Sequence, residues 1–360
     1  MKLIIYADDI TIYAQSTDRK DAGARINRYL DELSPYLKKK QLFVSTGKCA
    51  SILFSTWSKE SKEPLGIRLS KTDIPTVDSL KLLGVTLDHS LTFNEHIKGV
   101  NQKALKRTNA IKAICSRKQG LKRKEGTTIY KAMLKSTLNY GAATWAPNVS
   151  ETNWKKLEAR QNDGLRAISG CRKMSPVDHI RTETMCIPIK ENCNMIASQF
   201  AAEALQNPGH PCHEETKKDS STRQVRKSLR EHHKQHCQKL LLEPTCKKEE
   251  IHRETVKHVV QNLADNKVLN NSPPVPPDVL MENERELTRS DEVTLCQLRS
   301  GYSSKLNSYI SRIDDSKSGL CRKCKKEQET VSHMVRCHLN RKPGDLWTDP
   351  VAVSKDLDIL

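Results

Sequence analysis

The apolar residues of this 360-residue chain change period near residue 88, and that change restricts the fold more than any single motif does. Before it, short β-branched and aromatic runs dominate. Leu3-Ile4-Ile5-Tyr6 and Ile10-Thr11-Ile12-Tyr13 predict a hairpin, and further strands are expected at Ala50–Phe54, Leu65–Leu69 and Lys81–Leu87. Among them, Ala22, Ile26, Leu30, Leu33 and Leu37 mark one face of a helix that Pro35 should kink or end. After residue 88 the spacing becomes helical. Phe93, Ile97, Val100, Ala104, Ile111 and Ile114 define one face, and Ile129, Met133, Leu134 and Tyr140 belong to the next helix. Trp154, Leu157, Leu165 and Ile168 define a third helix, which Gly170 should terminate. Strand and helix alternate at first and helices follow, so the expected class is α+β.

Residues 206–270 are polar and rich in Lys and His, which predicts mobile helices without a packed core. The Pro273-Pro274-Val275-Pro276-Pro277 run reads as a stiff linker, and a small cysteine-bearing module follows. The expected divisions are therefore 1–88, 89–205, a basic connector over 206–284, and a module over 285–360. No internal repeat is visible.

Lys and Arg exceed Asp and Glu by 61 − 43 = 18 charges. Such a balance favours a polyanionic partner, with nucleic acid the first candidate. With 36% hydrophobic and 29% charged residues, the composition is that of a polar globular chain rather than a disordered one. Asp8 and Asp9 interrupt the amino terminus before a signal-peptide core could form, and no later apolar run is long enough to span a membrane. An intracellular location, in nucleus or cytoplasm, is the expectation, and it makes the 12 cysteines reduced thiols or metal ligands.

Two-metal phosphoryl transfer needs carboxylates on a rigid backbone, because hard divalent cations take oxygen ligands in octahedral geometry. Tyr6-Ala7-Asp8-Asp9 places two carboxylates at a hairpin tip, between apolar strands expected to anchor the tip in a core; an inert Asp-Asp turn is the other reading. This tetrapeptide resembles the catalytic loop of the reverse transcriptases of non-LTR retrotransposons of the Jockey type. Ordered motifs downstream extend the likeness. Val44-Ser45-Thr46-Gly47-Lys48 before Ile52-Leu53-Phe54 resembles the family's lysine-bearing segment, with Ser45 or Thr46 standing where Asn is usual. Leu82-Leu83-Gly84-Val85-Thr86-Leu87-Asp88, then Leu91, Phe93 and His96, resembles the primer-grip hairpin and the entry to the thumb. Tyr140–Pro147, Leu157–Asn162 and Leu165–Gly170 resemble the stretch that follows the polymerase.

The resemblance implies part of a polymerase palm, a helical thumb and a zinc-type module, acting on an RNA template and a DNA primer. It makes Asp8 a ligand of Mg2+ or Mn2+ and Asp9 its neighbouring support. Lys48 becomes a possible proton donor to the leaving pyrophosphate, although an ordinary surface lysine fits as well. Leu83 and Gly84 become primer contacts. The family's upstream palm strand carries another metal-binding aspartate, and the chain starts at the loop; a carboxy-terminal fragment without polymerase activity of its own is therefore expected. The alternative is a non-catalytic, basic, zinc-containing nucleic-acid-binding protein derived from such an element.

From Lys98 to Lys124 the chain carries Lys98, Lys103, Lys106, Arg107, Lys112, Arg117, Lys118, Lys122, Arg123 and Lys124 and no Asp or Glu. This basic strip is expected to track phosphates, which need only positive side chains. The sharpest metal signal is Cys321-x2-Cys324 followed by His333-x3-Cys337. A Cys-x2-Cys turn offers two thiolates on one tetrahedral edge, and a His/Cys pair one helical turn apart offers the other, which suits Zn2+. The segment also resembles the family's carboxy-terminal cysteine–histidine motif, in which the last gap is one residue longer, so His338 competes with Cys337 as fourth ligand. His232, His233, His236 and Cys237 lack a second cysteine pair and are assigned to solvated surface. Cys115, Cys171, Cys186, Cys193, Cys212 and Cys246 receive no role.

Overall fold

The computed structural model describes residues 1–55, 63–70, 72–218, 228–265 and 286–337. The Pro273–Pro277 run and His338 lie outside the described residues. These residues mix helix and strand and fall into two compact units, 1–96 and 97–337.

In the first unit, β1 (Lys2–Tyr6) pairs antiparallel with β2 (Asp9–Tyr13) in the register Tyr6↔Asp9 and Lys2↔Tyr13. The hairpin forms where its β-branched run requires it, but its strands are not buried as expected: Ile4, Ile5 and Tyr6 are 52%, 61% and 64% exposed. Among the described residues the sheet has only these two strands. Only Ile12 packs on the nearby core of Leu30, Ile67, Leu69 and Ile74.

That core is organised by α1 (Arg19–Lys39), capped by the Asp18 carboxylate. The helix passes through Pro35 without ending. Proline removes one backbone donor in the last turns, and burial of Leu30 and Leu37 on either side outweighs the loss. Asn27 links α1 to the opposing chain, accepting from Arg68 N–H and donating to Gly66 C=O, both at 2.9 Å. The strand expected at 65–69 shrinks to β3 (Arg68–Leu69), which pairs with β4 (Thr72–Asp73). At 50–54 no strand forms; Ser51 makes an isolated parallel bridge to Thr76.

The 81–87 segment forms a hairpin, β5 (Ser79–Leu82) with β6 (Val85–Asp88), turned by Leu83 and Gly84 at φ 45° and 87°. Two successive positive φ values match the right-handed twist of the strands, and glycine takes one of them without steric cost. The Asp88 carboxylate then accepts the N–H groups of Ser90, Thr92 and Phe93, which turns the chain into α2 (Asn94–Ile114).

The second unit is helical. Ile97, Val100, Ala104 and Ile111 of α2 are buried as the periodicity demands, but Cys115 takes the place expected for Ile114, which is 40% exposed. One helical run follows: α3 (Arg123–Ile129), a π-helical turn (Tyr130–Lys135) and α4 (Ser136–Asn139). The wider π turn shifts the helical phase. Tyr130, Leu134 and Leu138 therefore face the core, and Tyr140 is exposed. Next come α5 (Ala142–Trp145), α6 (Glu151–Ser169), α7 (Val177–Thr184) and α8 (Ile189–Gln206). Trp154, Leu157, Leu165 and Ile168 of α6 are all buried, and Gly170 ends the helix at φ 70°.

Against the expectation of unpacked helices after residue 206, α9 (His213–Lys217), α10 (Leu229–Lys239) and α11 (Lys248–Asp265) pack on α8. The small buried residues Ala197, Ala201 and Ala202 leave room for close approach, and Met195, Ala202, Cys237, Cys246 and Ile251 share a core. His232, His233 and His236 are buried, not solvated. His233 is held from both sides, by Ser198 Oγ at 2.7 Å and the Pro244 carbonyl at 2.9 Å. Polar helices can pack in this way because each buried ring meets a partner.

Last come α12 (Arg289–Arg299), α13 (Asn307–Ile310) and α14 (Val331–Arg336). Leu287, Leu295, Leu298, Leu306, Tyr309 and Met334 form their core. The cysteine-bearing segment thus packs a side chain of its own, Met334, on α12.

Candidate metal centre and nucleic-acid interface

The Cys/His motif converges. Residues 320–328 fold into a small turn in which Leu320 bridges Gln328, Cys321 N–H donates to the Glu327 carbonyl (2.8 Å), and Lys325 N–H donates to the Cys321 carbonyl (2.9 Å). Lys325 takes φ 55° to close it. Thr330 caps α14, which sets His333 and Cys337 one helical turn apart. Sγ of Cys321, Cys324 and Cys337 and a ring nitrogen of His333 all lie within 4.8 Å of one another. Cys321 Sγ is 4.0 Å from Cys337 Sγ, and Cys324 Sγ is 3.2 Å from His333 Nε2. Three soft thiols and an imidazole at these separations fit tetrahedral Zn2+.

The backbone prepares the set for deprotonation. The Cys324 thiol is drawn down to about 6, first by the N–H of Lys326, against burial, and then by the N–H of Glu327 with Cys321 and His333. Burial pushes the Cys321 thiol up. An open depression bordered by Glu327, Thr330, Arg336, His333 and Cys337 gives solvent a path to the set. Glu327 Oε2 lies 3.0 Å from His333 Nδ1, a contact for which the sequence holds no signal, since the two residues span a turn and a helix start. Among the described residues, this is the one cluster of three or more metal-binding side chains.

At the β1–β2 turn, Asp8 occupies the tip beside Ala7, which takes φ 52°, and Asp9 is the first residue of β2. Both carboxylates are exposed, and among the described residues no third ligand joins them in a metal-type cluster. Lys48 is exposed at the end of a 3-10 turn over Thr46–Lys48, and Leu83 is exposed at the β5–β6 turn.

The basic strip divides. Lys98, Lys103, Lys106 and Lys112 are exposed on α2. Arg107 is exposed but donates to the Met133 carbonyl at 2.6 Å, tying α2 to the π turn. Arg123 leaves the strip altogether. It is buried against Glu183, which also pairs with Arg299 at 3.2 Å and accepts from Cys296 Sγ at 3.2 Å. His179 Nε2 bonds the Cys296 carbonyl at 3.0 Å, and burial lowers the pKa of that ring. Burial alone would raise the Glu183 pKa, but Arg299 and then Arg123 outweigh it and hold the carboxyl at about 2.

Comparison with known proteins finds relatives among the polymerases of mobile elements. The chain is 24% identical over 234 residues to the RNA-directed DNA polymerase from mobile element jockey of Drosophila funebris, covering 64% of this chain and 25% of that protein. The chain is similar to part of the RNA-directed DNA polymerases of non-LTR retrotransposons. It is 27% identical over 169 residues to the probable RNA-directed DNA polymerase from transposon BS of Drosophila melanogaster, covering 47% of this chain and 18% of the relative. A Pol polyprotein from a type-1 retrotransposable element R1 of Nasonia vitripennis is 26% identical over 145 residues, 39% of this chain and 35% of that protein. The matches thus span about a third or less of these relatives. No family model and no solved structure matches the chain. No helix among the described residues is long and apolar enough to cross a membrane.

Proposed function

We propose that this chain is a portion of a non-LTR retrotransposon reverse transcriptase that grips an RNA template and DNA primer. In this reading residues 1–88 are part of the palm, 89–205 the thumb and the region after it, 206–284 a connector, and 285–360 a zinc module for nucleic acid, in an intracellular protein. The observation that carries it is the placement of Asp8 on an exposed hairpin tip beside a strained Ala7, in a chain whose relatives are polymerases of mobile elements. A non-glycine residue at positive φ costs on the order of 1–3 kcal/mol, and such strain collects at functional turns.

Asp8, supported by Asp9, would hold Mg2+ or Mn2+. Bound there in an intact relative, the cation would align a primer 3′-hydroxyl with the incoming nucleotide and neutralise developing charge. Lys48 is a candidate donor of a proton to the leaving pyrophosphate, and Leu83 and Gly84, on a rigid two-residue turn, are candidate primer contacts. Lys98, Lys103, Lys106 and Lys112 supply phosphate contacts, with Arg107 both fixing α2 and adding charge. Cys321, Cys324, His333 and Cys337 would hold Zn2+.

A second reading, a basic zinc-containing nucleic-acid-binding protein without catalysis, rests on the convergent Cys/His set and the exposed lysines of α2. Fluorescence anisotropy with a template–primer duplex and primer extension with Mg2+ or Mn2+ decide between them. Expected are salt-dependent binding that survives Asp8→Ala, and no synthesis by the chain alone. Synthesis by the wild type that is lost in Asp8→Ala would establish the full polymerase site, and absent binding would refute both readings.

A further inference from the structure

We propose that Glu327 is a positioning residue for the metal centre: its carboxylate fixes the ring and tautomer of His333 so that Nε2 is the ligand atom. This rests on the Cys/His reading above and adds a residue to it. The two nitrogens of the ring face different partners. Nδ1 is 3.0 Å from Glu327 Oε2, and Nε2 is 3.2 Å from Cys324 Sγ. A carboxylate can only accept, so Nδ1 carries the proton and donates it. In the neutral ring Nε2 then keeps its lone pair and faces Cys324 Sγ, within the cluster of three sulfurs. A metal-bound imidazole requires that arrangement, and an outer carboxylate on the remote nitrogen commonly enforces it.

Glu327 is suited to the task because its backbone belongs to the same site. Its carbonyl accepts from Cys321 N–H at 2.8 Å. The carboxylate therefore departs from a point already fixed to one of the ligand residues. The Thr330 hydroxyl accepts His333 N–H at 3.2 Å and holds the other end of the contact, the start of α14. The Glu327 side chain is 75% exposed, so it does not stabilise by burial; orienting the ring is the contribution left to it. Outer-shell partners of this kind change metal affinity by about 10–100-fold, and solvent exposure places Glu327 at the lower end.

The test uses the full chain with Zn2+ and Co2+ in competition with a chromophoric chelator. Glu327→Gln keeps shape and backbone while weakening the acceptor, and should lower Zn2+ affinity about 10-fold and alter the Co2+ ligand-field spectrum. In a His333→Cys background no ring remains to orient, so the same change should alter affinity less than about 2-fold. Equal losses in both backgrounds would mean that Glu327 merely supports the turn, and would overturn the proposal. Unchanged affinity in Glu327→Gln, with the wild type binding Zn2+, would overturn it alone. A wild type that binds no Zn2+ would remove the metal reading itself. Should His333→Cys fail to load, 15N chemical shifts of the His333 ring in Zn2+-loaded wild type and Glu327→Gln provide the second measurement: coordination through Nδ1 in the wild type refutes the proposal.

Discussion

Replacing Glu183 by Gln tests how the second unit is held together, because it keeps the shape of the side chain and removes only its charge. Glu183 is fully buried between Arg123 and Arg299, whose side chains are 2% and 0% exposed. The variant leaves two buried guanidinium groups without an anion, and breaking a buried pair in this way costs about 3–5 kcal/mol. An independent route gives a similar figure. The Glu183 pKa falls from its ordinary 4.5 to about 2, which at about 1.4 kcal/mol per pH unit corresponds to roughly 3 kcal/mol.

For a unit of this size, a loss of about 3 kcal/mol lowers the melting temperature by roughly 6–12 °C, readable by circular dichroism at pH 7. The pH dependence carries the sign. A carboxyl whose folded pKa is depressed contributes in full above about 4.5 and loses that contribution as pH falls toward about 2. Wild type and Glu183→Gln should therefore differ most at pH 6–7 and converge only as pH falls to about 2. A difference below about 1 kcal/mol at pH 7, or one that does not shrink on acidification, would refute the assignment of the triad as a principal support.

Three further outcomes are expected. Replacing Lys98, Lys103, Lys106 and Lys112 by Ala should reduce the slope of log affinity against log salt by about 0.9 for each phosphate left without its lysine, with melting temperature unchanged, when anisotropy is measured from low to moderate salt. Gly170→Ala should destabilise by about 2–4 kcal/mol in urea unfolding, because a Cβ there meets Val293 Cγ2 at 2.4 Å and the residue sits at φ 70°. Chelation of Zn2+ from the loaded chain should expose amides of residues 320–337 to hydrogen exchange, while metal analysis of Cys337→Ala beside His338→Ala identifies the fourth ligand; full occupancy in Cys337→Ala would reassign it to His338.

What could be read from sequence was what is locally encoded. The β1–β2 hairpin, the α6 stripe with its Gly170 stop and the Cys/His spacing each lie within a short segment, where period and turn chemistry suffice. Pro35 misled because propensity is a local preference, and burial of Leu30 and Leu37 overrides it. The π turn misled because a single wider turn rephases every later apolar position, and no residue type announces it. The packing of residues 228–265 was hidden for a different reason: a histidine reads as polar until its partner is known, and the partners of His233, Ser198 and Pro244, are 35 and 11 residues away.

Charge is likewise placed by partners distant in sequence. A net +18 describes the excess of cations over anions in the chain, and says nothing of where they point. Arg123 looks like a member of the α2 strip in sequence, yet its partner Glu183 is 60 residues away and Arg299 is 116 residues from Glu183. Arg289 is 5% exposed and donates to the Ala167 carbonyl at 3.0 Å. No phosphate reaches these three guanidinium groups, so they cannot contribute to counterion release. Under the proposed reading, the face of α2 open to a polyanion is consequently narrower than composition implies, with Lys98, Lys103, Lys106 and Lys112 beside Arg107. Lysine acts as a point charge, without the bidentate geometry of arginine. Contacts from such a face should set register along a backbone while leaving base sequence unread, and affinity for duplexes of different sequence but equal length should then agree within a few fold.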